Sequence, residues 1–372
     1  MTDRAAEPLG AGGTFLIQGH EAALAAVRRA VASEHPPHAL LLVGPRGVGK
    51  TTLALDLAAG LLCLADDPAG RPCRACPACR KVAADNHADL HLVEPVGAGE
   101  QIRIGQVQEL SSELALTAME GRFRIAIITS AQRLNLDAQN ALLKTLEEPG
   151  PATVLVLCAD DAAALLPTVL SRAARLRLAP STVGTLTDLL IAGEHAQPAH
   201  ARALALAAGG RTALALRLAT QPEAVLARAR ISHTLLELLV ADRRTRLGAA
   251  GELIADGAMV DAALRGEVAP SGKLQPVERR RAVTLVIDVW RDLGRDLAVA
   301  AQGDGRGVRD LEQLEELLDL GARLEPTALR RFLDRLDRLA LAIEGYASPE
   351  LVLDTLLLSW PRGRLGGKTR VA

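Results

Sequence analysis

With 43 Lys and Arg against 44 Asp and Glu in 372 residues, the chain carries a formal net charge of -1, which excludes a free-standing polybasic DNA binder. Hydrophobic residues make up 49% of it, ordinary globular material, yet only three Phe, two Trp and one Tyr are present. So few rings exclude modules that grip single strands by stacking bases on aromatics, and the length predicts two or three domains.

Residues 1–10, MTDRAAEPLG, contain no apolar run after their charges, so no secretory signal is expected. No stretch approaches the roughly 20 apolar residues that cross a bilayer, and the expectation is a cytoplasmic chain without membrane association. Short apolar runs then alternate with helical patterns. Strands are predicted at 39–43, 90–94, 124–128, 153–158 and 175–178, and helices at 51–62, 104–116, 136–147 and 161–172. That alternation predicts an α/β domain with a parallel sheet over residues 1–180.

Beyond Pro180 strand signals vanish. Helices at 182–192, 198–207 and 212–219, punctuated by Gly193, Pro198 and Gly209-Gly210, make a small helical unit over 181–222. Longer helices follow over 223–360. One of them, at 326–345, sets Leu329, Phe332, Leu333, Leu336, Leu339, Ala340 and Ile343 on one stripe, with Arg330, Arg331, Asp334, Arg335, Asp337 and Arg338 opposite. Ser348 is the expected cap of the last helix, with Pro349 at its first position. Loops are expected at 269–276 and 303–307, and 361–372 reads as a basic tail.

Two segments carry chemistry. Gly44-Pro45-Arg46-Gly47-Val48-Gly49-Lys50-Thr51 matches G-x-x-x-x-G-K-[ST] between a strand and a helix. Gly44, Gly47 and Gly49 let backbone N–H groups close around phosphate oxygens, aided by the positive end of the helix. Lys50 would reach the β- and γ-phosphates, and Thr51, with Thr52 beside it, would face Mg²⁺. A hydrolytic site also needs a second strand ending in acids, Asp for Mg²⁺ and Glu for the attacking water. After the run 124–128 come Thr129 and Ser130 instead. Hydrolysis is expected to be crippled, with binding retained; the alternative is that Asp160 or Asp161, after the next strand, takes over.

The second segment, Cys63-x9-Cys73-x2-Cys76-x2-Cys79, gathers four thiols within seventeen residues. A C-x2-C turn aims two sulfurs at one tetrahedral ion, and four close a structural Zn²⁺ site over 63–79. Free thiols or a redox C-x-x-C are the alternatives. His87 and His91 lie downstream as substitute ligands, and Cys158, inside an apolar run, reads as core.

In order and wording the chain resembles the bacterial DNA polymerase III clamp-loader subunits, which are AAA+ proteins. The resemblance covers residues 15–180. It rests on His38-Ala39-Leu40-Leu41 before the phosphate loop, on the cysteines after its helix, and on Asn86-His87-Ala88-Asp89-Leu90. Gln139-Asn140-Ala141-Leu142-Leu143-Lys144-Thr145-Leu146-Glu147-Glu148-Pro149 and Leu170-Ser171-Arg172 complete it. The resemblance implies a P-loop AAA+ domain with a zinc module (1–180), a helical lid (181–222) and an all-α collar for oligomerisation (223–360). It implies that Arg172 is an arginine finger offered to ATP on a neighbour, Ala173 standing where the family has Cys, and that Arg211 senses bound nucleotide. It also implies ATP or ADP with Mg²⁺ as ligand, structural Zn²⁺, and a five-subunit ring with gamma or tau and delta, reaching the sliding clamp and primed DNA through the complex. Motor subunits of the family need the acids missing at Thr129 and Ser130, and a tau chain would continue past the collar. Both points favour the stator branch, delta-prime; the alternative is an active gamma- or tau-like motor.

Overall fold

A computed structural model describes residues 13–96, 101–150, 152–265, 267, 270, 272–302, 314–344 and 347–361. The expected loop at 303–307 and, apart from Pro361, the basic tail lie outside the described residues, as do parts of the loop at 269–276. By contacts the chain divides into two compact units, Met1–Ser181 with Arg211–Ala213, and Thr182–Gly210 with Leu214–Ala372.

The first unit is built on five strands, β1 (Ala39–Val43), β2 (Leu90–Val93), β3 (Arg124–Ile128), β4 (Thr153–Ala159) and β5 (Ala174–Arg177), ordered β2-β3-β4-β1-β5 and paired in parallel throughout. Side chains alternate between faces along a strand, and each face of this sheet has its own core. Leu40, Leu42, Ile125, Ile127, Val154 and Val156 join Leu53 and Leu57 of α2 (Lys50–Leu62) and Val27 of α1 (Glu21–Ala32). Ala39, Leu41, Ala126, Ile128, Leu155 and Leu157 join Leu110 of α4 (Ile104–Leu114) and Leu142 of α5 (Leu136–Glu147) on the other face. Near-continuous apolar runs are what a sheet covered on both sides requires. A short helix α3 (Pro77–Ala83) begins inside the cysteine segment. Neither α1 nor α3 was among the helices expected from periodicity.

One expected element is corrected. The helix anticipated over 161–172 is a 3₁₀ turn, Ala162–Ala164, followed by the four-residue helix α6 (Pro167–Leu170). Pro167 is the reason: the residue before proline is pushed to extended backbone, and Leu166 sits at φ -59, ψ 141. Arg172 therefore stands beyond the helix end rather than within it.

In the second unit α7 (Val183–Ala192), α8 (Pro198–Ala207) and α9 (Thr212–Thr220) are followed by α10 (Pro222–Glu237), α11 (Arg243–Gly248), α12 (Ala250–Arg265), α13 (Pro276–Ala300), α14 (Leu314–Ala322), α15 (Pro326–Glu344) and α16 (Pro349–Ser359). One apolar cluster runs from Leu186 and Leu190 to Leu357 and Trp360, so the residues of the expected lid and collar share a core. Ser348 caps α16, accepting from Leu351 N at 3.4 Å. No helix among the described residues is long and apolar enough to cross a membrane.

Candidate nucleotide and metal sites

The phosphate loop occupies the turn between β1 and α2. Gly47 and Gly49 lie at φ 79 and φ 108, in the left-handed region that favours glycine. Gly44 is fixed by crowding, since a Cβ there would lie 2.2 Å from the Leu178 carbonyl oxygen. Lys50 is buried at the first turn of α2. Its ammonium donates to the carbonyls of Gly44 at 2.7 Å and Pro45 at 3.1 Å, and to Asp160 Oδ1 at 2.7 Å. Thr51 and Thr52 follow, half-buried. The loop thus has glycines where its backbone requires them, and its lysine is held by two loop carbonyls and a carboxylate.

Parallel pairing brings that carboxylate in. Val43 pairs with Ala159 in adjacent strands, and Gly44 N donates to Ala159 O at 3.2 Å, so Asp160 emerges beside the loop. Gln132 Nε2 donates to Asp160 Oδ2 at 3.0 Å and closes the array. Asp161 turns elsewhere, accepting from Ala163 N at 2.9 Å. At the end of β3, Thr129 Oγ1 donates to Val93 O at 3.4 Å, and no acid stands at 129 or 130. A hydroxyl spent on a main-chain carbonyl neither binds Mg²⁺ strongly nor takes a proton from water at neutral pH.

Arg172 lies at the surface. Its Nη2 pairs with Glu147 Oε1 at 2.6 Å and its Nη1 donates to Thr168 O at 3.0 Å. Glu147 belongs to the Gln139–Pro149 stretch, and Gln139 at its other end is buried. Gln139 Nε2 donates to the carbonyls of Leu134 and Ala164, and its Oε1 accepts from Leu166 N at 2.8 Å. The inward half of the stretch therefore fixes the segment that leads to Arg172. Its outward half, Asn140, Lys144, Glu147 and Glu148, presents polar side chains one to two turns apart. Arg211 is half-buried and already engaged with a partner.

The four cysteine sulfurs converge. Those of Cys63, Cys73, Cys76 and Cys79 all lie within 4.8 Å of one another, near enough that a modest inward movement would let all four bind one tetrahedral ion at Zn–S distances of about 2.3 Å. Backbone N–H groups point at the sulfurs: Cys73 at Cys63 Sγ, Cys76 at Cys73 Sγ and Cys79 at Cys76 Sγ, each at 3.4 Å. Such donors stabilise thiolates. Burial pushes the Cys76 thiol up, but N–H donors, those of Leu64 and Cys79 first, outweigh it and bring the pKa to about 6. Donor type, number and spacing thus fit a closed tetrahedral metal site, one that holds a fold and leaves no open position for chemistry.

The downstream histidines are outside it. His87 is buried, its Nδ1 accepting from Asp89 N at 3.1 Å, and His91 faces Arg124 at 3.2 Å. Burial pushes the Cys158 thiol up to about 12, in keeping with an inert core residue.

Residues 19–182 match the protein family described as DNA polymerase III, delta subunit. Among curated relatives, the DNA polymerase III subunit delta' of Pseudomonas aeruginosa is 44% identical over 135 residues, 36% of this chain and 41% of that protein. The delta' subunit of Bacillus subtilis is 38% identical over 168 residues, 45% and 50% of the two chains. The tau subunit of Escherichia coli is 32% identical over 210 residues, 55% of this chain and 32% of that one. The match thus spans half or less of each relative's length.

Proposed function

We propose that this chain, whose residues 19–182 match the DNA polymerase III delta-subunit family and resemble the delta' subunits of Pseudomonas aeruginosa and Bacillus subtilis, is a delta-prime-type subunit, the stator of a clamp loader. In this reading it binds ATP or ADP with Mg²⁺ in the loop Gly44–Thr51 but turns it over slowly or not at all. It offers Arg172 to nucleotide on a neighbouring subunit and so takes part in loading the sliding clamp on primed DNA. The collar at 223–360 joins it to gamma or tau and delta in a five-subunit ring.

The observation that carries this reading is the asymmetry of the site. The glycine loop Gly44–Thr51, with Gly47 and Gly49 at positive φ, stands at one strand end, while Thr129 and Ser130 at another offer no acid for either Mg²⁺ or water. On nucleotide binding Lys50 would exchange Asp160 for phosphate oxygens, while the glycine amides and the start of α2 would hold the rest. Arg172, half-buried and paired among the described residues with Glu147, Ser171 and the Thr168 carbonyl, would trade a solvent-screened ion pair for a phosphate. Zn²⁺ bound by Cys63, Cys73, Cys76 and Cys79 supplies a crosslink, not a reaction centre.

Turnover assays test the assignment. The purified chain should show no sustained ATP hydrolysis. In the reconstituted ring, Arg172→Ala should leave assembly intact and lower turnover at the site it serves by about a thousandfold, the usual worth of an arginine finger. Unchanged turnover at that site would remove Arg172 from this role. A second reading, an active gamma- or tau-like motor, is favoured by one observation: Asp160 places a carboxylate within reach of the phosphate loop. Sustained hydrolysis by the chain alone, abolished by Lys50→Ala, would establish the motor and end the stator reading.

A further inference from the structure

The cysteine site and the phosphate loop lie at opposite ends of α2, about 20 Å apart along thirteen residues. One short segment, residues 13–20, touches both. At the cysteine end, Gly13 N donates to Ala69 O at 2.8 Å and Thr14 N to Pro72 O at 2.9 Å. Arg74, between Cys73 and Cys76, donates from Nε to Thr14 O at 2.8 Å. Halfway along α2 stands Asp56, fully buried and unused by any step above. Its two carboxylate oxygens accept from Leu16 N at 3.1 Å and Ile17 N at 2.8 Å, and Arg74 Nη2 pairs with it. At the phosphate end, Ile17 is buried against Gly49, where an added Cβ would lie 2.8 Å from Ile17 Cδ1. His20 Nε2 lies 3.0 Å from Val48 O.

A buried carboxylate is costly unless paired and hydrogen-bonded. Asp56 therefore locks three elements at once: the cysteine loop through Arg74, the segment through two amides, and α2 through its own backbone. We infer that the cysteine loop positions the phosphate loop through residues 13–20, with Arg74 as the positioning residue. Closing that loop on a metal ion fixes Ala69, Pro72 and Arg74; these fix residues 13–17; Ile17 and His20 then hold Gly49 and Val48 in the cradle conformation. Metal loss loosens the nucleotide site from the far end of the helix, with no shared ligand. The nucleotide half of this inference rests on the phosphate-loop reading; the packing half does not.

Hydrogen exchange on the full chain, with metal content measured on the same samples, tests it. Arg74→Ala leaves all four cysteines in place and should retain one metal ion. Exchange over 14–20 and 47–50 should quicken by about tenfold or more, the equivalent of about 1.4 kcal/mol of lost local stability, while β3 and β4 stay protected. Stripping the metal from the wild-type chain with a chelator should quicken the same two stretches, and Arg74→Lys should restore part of the protection. Binding of a fluorescent ADP analogue should weaken about tenfold in Arg74→Ala. Should the wild-type chain bind no such nucleotide, the phosphate-loop reading fails and exchange alone decides the positioning. Should Arg74→Ala fail to fold, the chelated wild type and Arg74→Lys read the same coupling. Unchanged exchange at 47–50 when the metal is stripped would overturn the inference.

Discussion

Lys50 must choose between anions, and the choice sets nucleotide affinity. Its pair with Asp160 is made at 2.7 Å, with the aspartate 41% exposed. An incoming phosphate must displace that carboxylate and then sit beside it. The lysine is buried but the aspartate end is solvated, and solvent screening of that end keeps the pair to about 1 kcal/mol, so the penalty is modest. Asp160→Asn should therefore tighten ADP binding by about three- to tenfold while leaving turnover at background. Titration calorimetry reads the first and a turnover assay the second. Weaker binding together with lost turnover would instead place Asp160 among the catalytic acids of a motor. The phosphate loop itself was legible because its residues are contiguous and each has a local duty. Asp160 lies 110 residues from Lys50, and only the pairing of Val43 with Ala159 brings it near. Sequence raised Asp160, with Asp161, as a replacement for the acids missing at Thr129 and Ser130, but its contact with the lysine is a product of register.

Among elements, the connection into β3 shows how a motif known only by resemblance does structural work. Asp89, the residue before β2, is buried, and its carboxylate accepts from the N–H groups of Met119 at 2.6 Å, Glu120 at 2.8 Å and Gly121 at 2.7 Å. Arg124 lies 3.8 Å away. Burial alone would raise the carboxyl's pKa, but the three amides and Arg124 outweigh it and hold the group below the ordinary aspartate value. A depressed folded-state value stabilises the fold at every pH above the unfolded value, and this contribution fades as pH falls through the folded one. Asp89→Asn should accordingly cost about 2–3 kcal/mol at pH 7, and the gap from wild type should begin to narrow below about pH 4 and close only as pH falls through the depressed folded value. Urea titrations at pH 7 and pH 3.5 check the sign; a gap that widens in acid would contradict it. The strands were legible from apolar runs because the sheet is covered on both faces. The path to Arg172 was not, because alanines at 162–164 keep helical composition while Pro167 breaks the backbone.

At the scale of the whole chain, the scarcity of aromatics turns out to be a matter of placement. Three of the six rings meet in the second unit: Trp290 of α13 lies 5.2 Å from Phe332 of α15 and 5.3 Å from Trp360, and Phe332 lies 4.5 Å from Trp360, centroid to centroid. All three are buried. Around them, Trp360 Nε1 donates to Leu235 O at 2.8 Å, and the buried Arg246 donates to the carbonyls of Leu239, Leu357, Trp360 and Pro361, closing the end of α16. Rings spent inside a helical core are not available to stack on bases, which gives the composition argument a structural cause. The sequence showed Phe332 as a member of an amphipathic stripe, but a stripe does not say which helices meet, and that pairing is settled only by packing. Removing the central ring should open a cavity that its neighbours cannot fill. Trp290→Ala should destabilise the second unit by about 3–5 kcal/mol, with the first unit's sheet and phosphate loop untouched because they have separate cores. Differential scanning calorimetry should resolve a lowered transition for the helical unit beside an unshifted one that still responds to ADP. A single transition lowered as a whole would show that the two units unfold as one.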